Sequence, residues 1–159
     1  MSDIMAAMPR VRRSPGTVTF LDVLRHLLRP PAPDAVNKLI DEMEAGGLVT
    51  RPIAVVCFLR GTVGSLPRRW QQGILTLDGH TLSWTRYFAV RRDRTRLPSG
   101  LDVEQVRAVT GTERLHIKEE LFRIIVCYTG PGRVDLGVPT IDVPLVRRAI
   151  QRDKQALNP

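Results

Sequence analysis

Residues 53–90 read IAVVCFLRGTVGSLPRRWQQGILTLDGHTLSWTRYFAV, and this stretch decides the fold. Ile53–Leu59 is an apolar run rich in β-branched side chains, the composition of a buried strand. Residues 61–67, GTVGSLP, are turn chemistry, and Gln72–Leu77 follows as a second strand. Asp78-Gly79 is a short-hairpin signal, because glycine takes the left-handed backbone conformation such a turn requires. Thr81–Val90 then alternates, which predicts a third strand with Leu82, Trp84, Arg86 and Phe88 on one face and Ser83, Thr85 and Tyr87 on the other.

Downstream, the same punctuation continues. The basic connection RRDRTRLPSG (91–100) holds a short strand at 94–97, Leu101–Val109 alternates, and Phe122–Tyr128 is nearly continuous in apolar residues. Thr129-Gly130-Pro131-Gly132 turns the chain into Arg133–Val138. The period then changes to helical: Asp142 is placed to cap a helix with Val143, Val146, Ile150 and Leu157 on one side and Arg147, Arg148, Arg152 and Lys154 on the other. Upstream, residues 17–28 carry Leu21, Leu24, Leu27 and Leu28 at helical spacing, and RPPAP (29–33) stops that helix, since proline lacks the amide donor. A second helix begins at Asp34, presents Val36, Leu39, Ile40 and Met43, and ends at Gly46-Gly47.

The expected order is two short helices, six or seven sequential antiparallel strands and a terminal helix. Turn signals at this spacing predict a mainly β (α+β) fold, a small antiparallel barrel or sandwich capped by the last helix. The organisation expected is a flexible tail over 1–16, a helical extension over 17–50 and the β domain over 51–159. The 159 residues are enough for one self-supporting core, with 43% hydrophobic and 25% charged side chains in the ordinary globular range. The longest apolar run, Ile53–Leu59, is far shorter than a helical membrane span. Arg10, Arg12 and Arg13 follow a weakly apolar segment, the reverse of a secretory signal, so a cytoplasmic location is expected. Cys57 and Cys127 sit inside apolar strings and read as core residues of a reduced protein.

One pattern is familiar. Trp70-x-x-Gly73, then Leu77-Asp78-Gly79 and Leu82-x-Trp84-x-Arg86-x-Phe88, is followed by a basic stretch, the strand IIVCY, Gly132, Val134-Asp135-Leu136 and a closing helix. Over about residues 53–157 this resembles an actinobacterial family of unknown function whose members join an N-terminal membrane anchor to a small pleckstrin-homology-like domain. Where that family has its anchor, this chain carries the helical segment 17–47. The resemblance implies a pleckstrin-homology-like barrel and assigns no activity.

The formal net charge is +8, and residues 51–100 hold nine arginines against only Asp78 and Asp93. Such asymmetry points to an anionic partner, either a lipid surface, with peripheral attachment at the membrane, or an acidic protein patch. In lipid-binding members of the pleckstrin-homology superfold, basic side chains around the first hairpin surround an inositol phosphate. By that resemblance Arg60, Arg68, Arg69 and Arg86 are candidate anion ligands, with Arg91, Arg92, Arg94 and Arg96 extending the basic rim. Guanidinium suits the task because its planar fork meets phosphate oxygens in pairs. No nucleophile, phosphate-loop or zinc motif occurs, and His26, His80 and His116 are scattered, so neither an enzyme nor a cofactor or metal is expected. A different class of function attaches to residues 34–51, DAVNKLIDEMEAGGLVTR, which resemble the recognition helix and wing entry of winged-helix regulators, with Asn37 and Lys38 facing DNA. Asp34, Asp41, Glu42 and Glu44 on that helix would repel phosphate, which makes nucleic acid the weaker reading.

Overall fold

Seven strands and one helix follow one another from Ile53 to Leu157: β1 (Ile53–Gly61), β2 (Gln71–Asp78), β3 (Thr81–Arg86), β4 (Arg94–Arg96), β5 (Asp102–Arg107), β6 (Phe122–Thr129), β7 (Gly132–Pro139) and α1 (Val143–Leu157). The computed structural model describes Asp34, Asn37, Lys38 and Asp41 and residues 52–88, 93–130 and 132–158. Those first four are helical and exposed, within the expected second helix; the tail 1–16 and the remainder of the extension 17–50 lie outside the described residues.

All seven strands form one antiparallel sheet in the order β4-β3-β2-β1-β7-β6-β5. β1 is central, pairing with β2 through Ile53↔Leu77 to Leu59↔Gln71 and with β7 through Phe58↔Gly137 to Gly61↔Val134. The sheet is open, which corrects the expectation of a closed barrel. An odd number of strands cannot close with every neighbour antiparallel, so closure here would need a parallel β4–β5 pair. Parallel neighbours need a crossover of a dozen or more residues, whereas Leu97–Leu101 is all that joins these two. Instead α1 packs against β3, β5 and β6. It is fixed there by Asp153, whose Oδ2 accepts from the Gly100 amide at 3.2 Å, and by the Lys154–Asp102 ion pair.

Each face of the sheet has its own core, which explains why Ile53–Leu59 and Phe122–Cys127 are continuous apolar runs rather than alternating ones. Val55, Cys57 and Leu59 join Leu75, Trp84, Ile125, Cys127, Leu136, Val146 and Ile150 on the helix-covered face. Val56, Ile124 and Val126 point the other way and pack with Val109, Ile117 and Phe122, and Phe58, Trp70, Ile74 and Tyr87 extend this outer cluster. Val109 and Ile117 come from the β5–β6 connection, which includes a 3-10 turn at Gly111–Leu115 and lies over the outer face. Both cysteines are fully buried, as their apolar contexts predicted.

Two local expectations need correction. β3 stops at Arg86, and the turn at Tyr87 carries Phe88 out of the pleat, so Phe88 is 84% exposed rather than packed beside Leu82 and Trp84. Asp142 stands at the N-cap position of α1 but is buried and makes no side-chain capping bond; Pro144 in the first turn supplies the start signal instead.

Candidate anion-binding end of the sheet

The strand directions bring three connections to one end of the sheet. β1, β3 and β6 finish there while β2, β4, β5 and β7 begin there, so among the described residues 62–70, Tyr87, Phe88, Asp93, Gly130 and the start of β5 at Asp102 are grouped at that end. Arg68 and Arg69 are exposed in the first connection. Arg86 is exposed at the end of β3, in register with Gly73, and Arg94 and Arg96 are exposed on the edge strand β4, in register with Thr85 and Ser83. Arg91 and Arg92 lie outside the described residues.

Arg60 has a different position from that expected of a free ligand. Its Nε donates to Asp135 Oδ2 at 2.9 Å, its Nη2 donates to Glu113 Oε1 at 3.0 Å, and its guanidinium carbon lies 4.4 Å from the centre of the Trp70 ring. Arg133 Nε donates to the other oxygen of Asp135 at 2.7 Å. Arg107 holds Glu113 with both terminal nitrogens at 2.7 Å. Three guanidinium groups therefore share two carboxylates that are almost wholly buried, 8% exposed for Glu113 and 3% for Asp135. The bidentate hydrogen bond from Arg107 is the main cause that holds the Glu113 carboxyl below its ordinary value; burial opposes it, and the Thr110 amide and the charge of Arg60 add to it. The same bonds raise Arg107 through Glu113 and Arg133 through Asp135.

Above this network, Arg60, Gly61, Thr62, Arg68, Arg133 and Asp135 line a shallow cleft of about 290 Å³. Its walls are tied together because the Thr62 amide donates to the Arg133 carbonyl at 2.9 Å and the Arg133 amide returns a bond to Thr62 Oγ1 at 3.0 Å. Three arginines face a single carboxylate there, so the cleft is cationic. Of the residues expected from sequence, Arg60 and Arg68 meet in it, Arg69 is the next residue along the chain, Arg86 and Arg94 belong to the β3–β4 side of the same end, and Arg96 lies further along β4, opposite Ser83.

Arg133, Asp135, Arg107 and Glu113 were not among the expected residues. Thr110-x-x-Glu113 was a legible signal, since a carboxylate three residues after a threonine reaches back to its amide, and here Glu113 Oε2 accepts from the Thr110 amide at 3.2 Å. Asp135 was legible as a lone charge inside an apolar strand. Comparison of the chain with family models, with curated proteins and with solved structures gave no match, so the site is read from its own geometry.

Proposed function

We propose that residues 51–159 are a pleckstrin-homology-like binding module without catalysis of its own, whose basic loop end holds an anionic partner. The strand order with a terminal helix across the open edges supports the first part. The cleft of Arg60, Arg68 and Arg133 supports the second: two of its guanidinium groups are held in place by Asp135, so an arriving phosphate or carboxylate meets donors that are already positioned. Arg68 makes no ion pair among the described residues and is the group with most to gain from an anion. Arg69, Arg86 and Arg94 add long-range attraction that screens over about 8 Å at physiological salt.

Elution from an immobilised polyanion such as heparin, along a salt gradient, tests the placement. Arg68→Glu with Arg69→Glu is expected to elute at clearly lower salt than Arg147→Glu with Arg152→Glu, a pair on α1 that changes the net charge equally. Equal losses in the two double variants would show that total charge, not this end of the sheet, sets the affinity.

A further inference from the structure

The two aromatic side chains exposed among the described residues both belong to the basic end. Phe88 follows the end of β3 and is the most exposed large hydrophobic residue among those described, at 84%, with the tilted ring of Tyr87 at 6.2 Å between centroids. Tyr128 is 40% exposed near the end of β6, in register with Arg133, whose guanidinium carbon is 6.0 Å from its ring centre. The exposed leucines of the β5–β6 connection, Leu115 and Leu121, are instead close in sequence to Glu119 and Glu120.

We propose that the anionic partner is a lipid bilayer and that Phe88 is the side chain that enters it; the inference rests on the anion-binding reading above. Electrostatic attraction to an acidic protein patch asks nothing of a bare phenyl ring, which would need a matching pocket on that partner. A bilayer accepts any protruding ring at the boundary between headgroups and acyl chains, while arginines beside it reach back to the lipid phosphates. Arg86 two residues before Phe88, Arg94 at the start of β4 and Arg68 and Arg69 ahead of β2 belong to the same end of the sheet and supply the charge that an anionic leaflet requires, each cation near such a surface adding to the attraction. Tyr128, with an apolar ring and a polar tip, has the form favoured at the headgroup level. One ring alone gives marginal attachment, as does one weak charge patch, so ring and arginines together make the reversible anchor.

Sedimentation with phosphatidylcholine vesicles, with and without phosphatidylglycerol, tests this beside heparin elution of the same proteins. The wild type is expected on the anionic vesicles only. Phe88→Ser should weaken that retention about tenfold while leaving heparin elution unchanged. Because Phe88 is outside both cores, the variant keeps the wild-type thermal midpoint, which excludes loss of fold as the cause. Phe88→Trp should remain bound and show indole quenching by brominated acyl chains beyond that of the wild type. Wild-type retention by Phe88→Ser, with no added quenching in Phe88→Trp, would overturn the insertion and leave the electrostatic reading standing. Retention on polyglutamate but not on phosphatidylglycerol would overturn the lipid in favour of an acidic protein. Failure to bind heparin and both vesicles would instead remove the anion-binding reading itself.

Discussion

Glu113 holds two guanidinium groups with one nearly buried carboxylate, and its protonation has a definite consequence for stability. Its pKa in the folded protein is below the ordinary 4.5, so as pH falls the unfolded chain takes up the proton first. The stabilisation is therefore complete above about pH 5 and is lost as pH falls through the folded value. Urea midpoints measured between about pH 6 and pH 3 should decline, and Glu113→Gln should be less stable at neutral pH by about 1–3 kcal/mol with a flatter acid dependence. Gly73 carries a second prediction. Any side chain there would meet the Thr85 carbonyl oxygen at 2.2 Å and the Trp84 ring at 2.7 Å. The indole lies across that space so that its Nε1 donates to the Cys57 carbonyl on β1 at 3.2 Å. Gly73→Ala should lower the unfolding free energy by about 2–3 kcal/mol, read by chemical denaturation. Gly73 and Trp84 of the sequence pattern meet for this reason, whereas Trp70 packs with the outer cluster beneath Arg60. The engagement of Arg60 was not legible in the sequence, because its partners Asp135 and Glu113 are 75 and 53 residues away, and an arginine followed by a glycine-rich loop looks the same whether paired or free.

At the scale of elements, β1 and β6 were legible as strands because both of their faces are buried. What those continuous runs also implied, a second core on the outer face, went unread, since the cover comes from a connection rather than from a helix. Ile117 is the anchor of that cover: it is 1% exposed and comes within 3.2 Å of the position a Cβ on Gly137 would take. Ile117→Ala should cost about 2–4 kcal/mol and expose the edge-to-face pair Phe58 and Phe122, whose centroids are 5.3 Å apart, to dyes that bind apolar surface. The end of β3 was misread for a related reason. Alternation in Leu82, Trp84, Arg86 and Phe88 continues past the last ladder partner, and only the pairing of β3 with β2 and β4 says where the strand stops.

For the whole molecule, the order of elements and their antiparallel sense were readable from turn signals, while closure was not, because it depends on the parity of the strand count and the length of one connection. The charge asymmetry was equally readable; its grouping at one end follows from strand direction, which sequence alone supplies only once every strand is placed. That grouping gives the described residues a polarity, with Arg68, Arg69, Arg86 and Arg94 and the exposed rings of Phe88 and Tyr128 at one end. The open edges have a further consequence. β4 is three residues long with two exposed arginines, and β5 is broken by an irregularity between Val103 and Gln105, so neither offers a flat, neutral ladder to a neighbouring molecule. Replacing Arg94 and Arg96 with valine would give the first edge the flat apolar character of a template, and such a protein is expected to assemble into fibrils on storage where the parent remains in solution, an outcome that thioflavin fluorescence would register.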